Sequence, residues 1–137
     1  MLRPALVIAT LAAASAAAAE PFTFIALGDA PYGKPAGVYA PYEALIAQIN
    51  TRAPRLVIHI GDTKSGGTPC SDEVLNQQLT FMNSFTAPTL YTPGDNEWTD
   101  CHREAAGQYD PIARLACLRT TDFGDATKSF GENKLDL

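Results

Sequence analysis

Basic residues are scarce in this chain of 137 residues, in which 10 lysines and arginines stand against 15 aspartates and glutamates and the formal net charge is −5. A nucleic-acid-binding surface needs an excess of positive charge, so we expect no nucleic-acid partner. Low-complexity disorder is also disfavoured, because 46% of the residues are hydrophobic and the net charge is modest. The composition therefore predicts one soluble globular domain.

Long apolar runs are confined to the N-terminus. A short basic start is followed by the apolar residues 5–14 and by small residues up to Ala19, which complete an A-x-A sequence before Glu20. This layout is typical of a secretory signal peptide, and the run is short and alanine-rich for the alternative, an uncleaved anchor helix. We predict a signal peptide at residues 1–19, a mature domain at residues 20–137, a secreted or periplasmic location, and no membrane contact after cleavage.

Cysteine is also rare, with three residues in the chain. Export would place them in an oxidising compartment, and an odd number allows at most one internal bridge. Cys70 and Cys101 both lie in polar loop sequence, so we predict that they form a disulfide; three free thiols are the alternative. Cys117 lies in a helical pattern, where it is either buried or lacks its partner.

Strand-like and helix-like segments alternate along the mature chain. Short apolar runs rich in β-branched and aromatic residues predict strands at residues 22–27, 56–60 and 89–92. Helices are expected over residues 41–52, 71–85 and 110–119, loops over residues 33–39 and 63–69, and no element over residues 120–137. Ser71 and Asp110 are typical helix N-caps. The order βαβαβα predicts an α/β fold with a mostly parallel sheet covered by helices.

Each predicted strand ends in a Gly-Asp pair, and the three aspartates are Asp29, Asp62 and Asp95. An ordinary turn or helix cap explains one such pair, and a repeat protein would explain the even spacing, but the residues between the pairs show no repeat. The carboxyl ends of parallel strands face one crevice, so we expect glycine to turn the chain and aspartate to face that crevice. Three converging carboxylates require protonation or a cation, and their oxygens suit divalent metals.

The three Gly-Asp segments, in this order, resemble the signature of the calcineurin-like metallophosphoesterases. That family has two metal ions and the motifs D-x-H, G-D-x-x-D and G-N-H-D/E, each after a strand. The matching segments are residues 27–32, 60–63 and 93–98, and the resemblance covers residues 22–98. It implies a layered α/β domain, two divalent or transition metal ions (Fe, Mn or Zn), and a hydrolase that cleaves small-molecule phosphate mono- or diesters.

Position by position, the resemblance implies a role for each aspartate. Asp29 would bind the first metal, Asp62 would bridge both metals, and Asp95 would take the place of the family's asparagine on the second metal. The two ions would hold the phosphate and lower the pKa of a bound water that attacks phosphorus.

The chain departs from the family pattern at both motif histidines. Pro31 replaces the first, and the adjacent Tyr32 is a candidate phenolate ligand; an aromatic lid or core residue is the alternative. Asn96 replaces the second and is expected to contact the substrate phosphate by hydrogen bonding. His102 is a candidate replacement for the missing acid, and Arg103 a candidate phosphate clamp; both are otherwise surface loop residues beside the disulfide.

The mature chain lacks the further histidines with which the family completes its metal shell. His59, within a predicted strand, is expected to be structural, and Glu97 and Trp98 are expected to position their loop. We therefore expect the chain to be the N-terminal part of a longer domain, incomplete at its C-terminus, and inactive alone. The alternative function is a non-catalytic secreted metal- or phosphate-binding protein on the same scaffold. A flavodoxin-like or Rossmann nucleotide binder is disfavoured, because no G-x-G-x-x-G follows the first strand.

Overall fold

A computed structural model of the protein describes residues 20–137, and the predicted signal peptide at residues 1–19 lies outside the described residues. The described chain combines a three-stranded parallel sheet with helices, which confirms the predicted α/β class. No helix within this part of the chain is long and apolar enough to cross a membrane.

The sheet consists of β1 (Phe24–Leu27), β2 (Leu56–His59) and β3 (Thr89–Tyr91), with β2 in the centre. All pairings are parallel, and the register places Ala26 beside Ile58 and Ile58 beside Leu90. Each strand is shorter than predicted: β1 begins two residues later, at Phe24, whereas β2 and β3 each end one residue earlier, at His59 and Tyr91. The three carboxyl ends lie side by side at one edge, as the order of elements predicted.

Three α-helices connect and follow the strands: α1 (Pro35–Thr51), α2 (Asp72–Asn83) and α3 (Pro111–Thr121). Both predicted N-caps are confirmed. The Ser71 hydroxyl accepts the Val74 N–H at 3.3 Å, and the Asp110 carboxylate accepts the Ala113 N–H at 2.8 Å. Each bond satisfies an N–H that would otherwise lack a partner in the first helical turn. Two short 3₁₀ turns, Thr99–His102 and Glu104–Ala106, link β3 to α3.

The start of α1 differs from the prediction of a loop over residues 33–39. The helix begins at Pro35, where proline is favourable because the first helical N–H has no partner within the helix. Pro41 lies inside the helix and removes one backbone hydrogen bond. The apolar face of the following turns packs on the sheet, and this burial outweighs the weak local propensity of the proline- and glycine-containing start.

The two faces of the sheet are covered unequally. Helices α1 and α2 pack on one face and form the main core, which comprises Tyr42, Ile46, Ile49, Val57, Phe81, Phe85 and Ala87. Within this core the rings of Tyr39 and Tyr42 both meet Phe81 edge-on, with centroids 5.1 and 5.2 Å away. At the other face Phe24 remains 53% exposed and Ile60, just beyond β2, 61% exposed.

The C-terminal segment, to which the sequence assigned no element, lies against the outer edge of β3. Phe130 forms an antiparallel bridge with Thr89, and their N–H groups and carbonyls exchange two bonds of 2.9 Å. Tyr91 stacks on Phe123 with a centroid distance of 5.6 Å and meets Phe130 edge-on. This segment therefore covers part of an edge that the three strands alone would leave open.

Candidate functional site

The carboxyl ends of the strands bring the three predicted aspartates to one edge of the sheet. Asp29 follows β1, Asp62 follows β2 and Asp95 follows β3. The pKa of Asp62 is raised, first by burial and then by the nearby carboxylates of Asp95 and Asp29, while a hydrogen bond from the Asn96 backbone lowers it. Asp62 is thus the central, least exposed member of the three, and the other two are exposed on either side of it.

We call the segments around the three Gly-Asp pairs the first, second and third corners (residues 27–32, 60–63 and 93–98). The first two contain unusual backbone conformations. We expected glycine to make the sharp turn, and Gly61 does so with a φ of 96°, but Asp29 and Asp62 also adopt left-handed conformations, with φ values of 52° and 53°. Non-glycine residues rarely adopt this region, and each such residue costs on the order of 1–3 kcal/mol. Aspartate is among the residues that tolerate it best, which is one physical reason for its presence at these turns.

The second and third corners are in direct backbone contact. A Cβ atom added to Gly61 would lie 2.4 Å from the Gly94 nitrogen, and one added to Gly94 would lie 2.0 Å from a carboxylate oxygen of Asp62. No side chain fits at either distance, so both glycines are needed for close approach. This contact places Asp62 against the chain that carries Asp95.

The buried side chain of Glu97 joins the second and third corners. Its buried carboxylate accepts the backbone N–H of Asp62 at 3.1 Å, of Thr63 at 2.5 Å and of Gly94 at 2.6 Å, and also the Thr63 hydroxyl at 2.9 Å. Burial raises the pKa of Glu97, and the bonds from Thr63 and Gly94 act against that rise. The carboxylate is fully occupied within the protein, which agrees with the expected positioning role.

His59 is a structural residue, as expected. Its ring is fully buried; Nδ1 accepts the Gly61 N–H at 3.2 Å, so the ring hydrogen lies on Nε2, which donates to the Ala30 carbonyl at 3.1 Å. Burial lowers the pKa of this imidazole and favours its neutral form. Both nitrogens are therefore occupied, and neither offers a lone pair to a metal ion. The ring links the first corner to the second.

Tyr32 and Asn96 connect the first corner to the third. The Asn96 side-chain amide donates to the Tyr32 hydroxyl at 3.0 Å. Asn96 is buried, whereas Tyr32 is 50% exposed, so the phenol lies at the mouth of the site. The pair brings two predicted site residues together.

His102 and Arg103 occupy different positions relative to the aspartates. His102 is exposed on the 3₁₀ turn, where its Nδ1 donates to the Thr99 carbonyl at 2.6 Å. Arg103 forms an ion pair with Asp100 at 2.7 Å. A Cβ atom on Gly66 would lie 2.5 Å from the Arg103 guanidinium and 2.7 Å from the Asn96 side-chain oxygen. Arg103 is therefore beside Asn96, while no hydrogen bond or ion pair within residues 20–137 joins His102 to the aspartates.

The predicted disulfide between Cys70 and Cys101 is present, with Cα atoms 5.7 Å apart. Both cysteines are fully buried, and the bridge connects the loop after the second corner to the 3₁₀ turn after the third. Cys117, on α3, is a free and partly exposed thiol. The bridge adds a covalent link between the same two corners that Glu97 joins.

Lys64 is the residue of this region that sequence analysis missed. It is only 1% exposed, and its ammonium donates to the carbonyls of Thr68 at 3.0 Å and Ser65 at 3.4 Å. Burial lowers its pKa, and the carboxylates of Glu97, Asp100 and Asp62 act in the opposite direction. The only available signal was a lysine two residues after Asp62 in a loop of small residues, and such a lysine is usually solvated.

Comparison with protein families, characterised proteins and solved structures finds no match to this chain. The fit of the predicted metal ions therefore depends on donor chemistry alone. Among residues 20–137, no three side chains of the His, Cys, Asp and Glu types already stand in a metal-holding geometry. Asp29 and Asp95 nevertheless have exposed carboxylates beside Asp62, and such oxygen donors suit a hard divalent ion. They fit the carboxylate part of the implied ligand set, whereas His59 cannot supply a nitrogen ligand.

Proposed function

We propose that this chain carries the carboxylate part of the active site of an exported, metal-dependent phosphoesterase that hydrolyses small-molecule phosphate mono- or diesters. The resemblance to the calcineurin-like family implies two ions, and a metal ion bound to phosphate supplies charge stabilisation and a water of lowered pKa. The complete activity belongs, in this proposal, to a longer domain of which these residues form the first part.

The residues of the crevice support distinct roles in this proposal. Asp29, Asp62 and Asp95 provide the oxygen ligands. Asn96, held at the third corner, positions its amide beside the substrate, and Arg103 contributes a guanidinium suited to phosphate oxygens. Tyr32 at the mouth and His102 on the 3₁₀ turn are candidates for contact with the substrate. Arg103 must release Asp100 or share its guanidinium to bind phosphate.

One observation carries the proposal: three aspartates follow three adjacent parallel strands and influence one another electrostatically. Mutual repulsion among carboxylates is unfavourable unless a cation offsets it. The protein also accepts two rare backbone conformations at this edge. Strain of this kind persists where the surrounding structure over-determines it, and it is concentrated at functional sites.

Metal binding by the whole chain tests the proposal. Titration with Mn²⁺ by isothermal calorimetry should show binding to the unmodified protein and at least a tenfold loss of affinity in Asp62→Asn. Asparagine keeps the tolerated backbone conformation, so the change removes charge with little effect on the turn. Asp136→Asn, an exposed acid in the C-terminal segment, is the matched control and should bind as the unmodified protein does. Absence of Mn²⁺ binding to the unmodified protein would contradict the proposal.

A second candidate is a non-catalytic secreted protein that binds metal or phosphate on the same scaffold. Its support is specific: Asn96 stands where the family has a histidine, and both nitrogens of His59 are occupied within the protein. Hydrolysis of para-nitrophenyl phosphate by the longer protein, loaded with Mn²⁺, separates the two. Turnover supports the enzyme, whereas metal binding without turnover supports the binding protein.

A further inference from the structure

A cavity of about 190 Å³ lies where the C-terminal segment meets the ends of helices α2 and α3. Its wall combines two apolar side chains, Leu79 and Phe130, with polar and charged residues from all three elements. Pockets that bind drug-sized molecules measure roughly 300–1,000 Å³. This cavity therefore suits a smaller ligand, and its wall contains no residue of the three corners.

The segment that forms one side of this cavity is held in place by the rest of the fold. The Glu132 N–H donates to the Phe85 carbonyl at 2.8 Å. Gly131 packs so closely on the chain before β3 that an added Cβ atom would lie 2.3 Å from the Ala87 carbonyl oxygen. A ligand would thus enter a cavity that already exists, which limits the entropic cost of binding.

The cavity wall carries two acidic and two basic side chains, and one of each sign has no partner. Lys128 forms an ion pair with Asp136, and Asp125 accepts two hydrogen bonds within its own turn. The other two, Asp122 and Lys134, form no ion pair within residues 20–137. They line the same cavity without pairing with each other.

The carboxylate of Asp122 is the less favourable of these two unpaired charges. The residue is partly buried, and within residues 20–137 its one side-chain hydrogen bond comes from the Thr121 hydroxyl at 2.8 Å. Burial raises the pKa of Asp122, and the bond from Thr121 acts against that rise. A carboxylate that is shielded from water and lacks a cation is unfavourable. The exposed Lys134 supplies the opposite charge on the same wall.

Asn83 contributes an unsatisfied acceptor on the α2 side of the cavity wall. Its side-chain N–H donates to the Leu79 carbonyl at 3.0 Å, which fixes the orientation of the amide. The amide oxygen is buried and accepts no hydrogen bond within residues 20–137. A buried acceptor without a donor is costly, so this residue favours a ligand that carries N–H groups.

We propose that this cavity binds a free amino acid with an apolar side chain. Asp122 and Asn83 hold its ammonium group, and Lys134 pairs with its carboxylate. Leu79 and Phe130 contact its side chain. A simple cation would meet the two lysines of the wall, and a simple anion would leave the carboxylate unpaired, so a ligand with both charges fits best. This binding is separate from the proposed phosphoester hydrolysis and does not depend on it.

Calorimetric titration of the whole chain, dialysed free of amino acids, tests the proposal. We expect L-leucine and L-phenylalanine to bind. Isoamylamine and isocaproate correspond to leucine without its carboxylate and without its ammonium group, and each should bind at least tenfold more weakly than leucine. Absence of binding by both amino acids would show that the cavity holds only water and would overturn the proposal. Binding of either analogue as tightly as leucine would overturn it as well.

Substitution of the two unpaired charges locates the binding site. Asp122→Asn and Lys134→Met should each lose at least tenfold in affinity for L-leucine. Glu43→Gln and Lys34→Met change exposed charges on or beside α1 and should bind leucine as the unmodified protein does.

A specific role of Lys134 also predicts that Lys134→Met no longer distinguishes leucine from isoamylamine, because the carboxylate has lost its partner. A general loss of structure would instead weaken both ligands equally. Unchanged leucine affinity in Lys134→Met would overturn the proposal, and this exposed substitution decides the matter even if Asp122→Asn fails to fold.

Discussion

The second and third corners of the sheet are tied to each other far more strongly than either is tied to the first. Glu97, in the third corner, accepts three hydrogen bonds from the second corner and one from Gly94 of its own corner, and a buried disulfide connects the loops that follow the two corners. The first corner is joined to the second by two backbone bonds, from the Asp29 N–H to the Gly61 carbonyl at 3.1 Å and from the Ile60 N–H to the Leu27 carbonyl at 2.9 Å. Its other bonds involve the side chains of His59 and Tyr32, and the Thr68 hydroxyl donates to the carbonyl of the adjacent Gly33. Asp62 and Asp95 are thus fixed by many contacts, and Asp29 by few.

The largest effect is expected from Glu97→Ala, which removes the carboxylate that joins the second and third corners. Three buried or partly buried backbone N–H groups and the Thr63 hydroxyl would lose their acceptor, and each unpaired group costs about 1–3 kcal/mol. With four such groups, we expect the free energy of unfolding in urea to fall by roughly 4 kcal/mol or more. Glu104→Ala, at an exposed position, should change it by less than about 0.5 kcal/mol. Equal losses in the two variants would contradict the role of Glu97.

Removal of the disulfide should give the next largest effect. The double variant Cys70→Ala with Cys101→Ala removes a cross-link that restricts the unfolded chain. The unfolded state gains conformational entropy, so the free energy of unfolding should fall by roughly 3–4 kcal/mol. The measurement is the urea midpoint under non-reducing conditions. Cys117→Ala, which removes a free thiol on α3, is the control and should have a much smaller effect. A double variant as stable as this control would show that the bridge does not hold the two corners.

The link between the first and second corners should be sensitive to pH through His59. Its folded pKa lies below the ordinary 6.5, so the unfolded chain binds this proton more readily. The contribution of His59 is complete above the unfolded pKa and is lost as pH falls towards the folded one, by at most about 1.4 kcal/mol per pH unit. Urea midpoints at pH 7.5 and 5.5 should differ less in His59→Phe than in the unmodified protein. In His102→Phe the difference should remain, and its loss there would contradict the assignment.

The smallest effect is expected from Tyr32→Phe, which cuts the bond between the first and third corners. The Asn96 amide would lose one acceptor at a partly exposed position, so we expect a loss of about 0.5–1.5 kcal/mol in thermal or urea unfolding. Tyr109→Phe is the matched control, because the Tyr109 hydroxyl makes no hydrogen bond to another residue within 20–137. A larger loss at Tyr109 than at Tyr32 would show that the phenol does not support the first corner.

Local sequence patterns were sufficient for much of the fold. Strand positions follow from short β-branched runs between turn residues, and the caps at Ser71 and Asp110 depend on residues three positions apart. The pairing of Cys70 with Cys101 followed from their shared loop character, and the structure confirms it. The predicted start of α1 was wrong, because packing on the sheet, rather than the local proline- and glycine-containing sequence, determines where the helix begins.

The internal organisation of the site depends on contacts that no local pattern contains. Glu97 bonds Thr63 across 34 residues, and this pairing exists only because two glycines allow the corners to meet. The burial of Lys64 likewise depends on how its loop folds over the third corner. Sequence spacing therefore indicated which aspartates share an edge, but the residues that hold this edge together became visible only in three dimensions. The roles of the aspartates in metal binding stay predictions.

The left-handed backbone of Asp29 and Asp62 determines how mutational data on this edge must be interpreted. Replacing either residue with alanine would combine two changes, the loss of a negative charge and a penalty for placing an ordinary side chain in a disfavoured region. Glycine would relieve that penalty but would also increase the conformational entropy of the unfolded chain, which changes stability for a separate reason. Asparagine is close to isosteric and tolerates the same dihedral angles. Asparagine scanning therefore isolates the electrostatic contribution of each carboxylate.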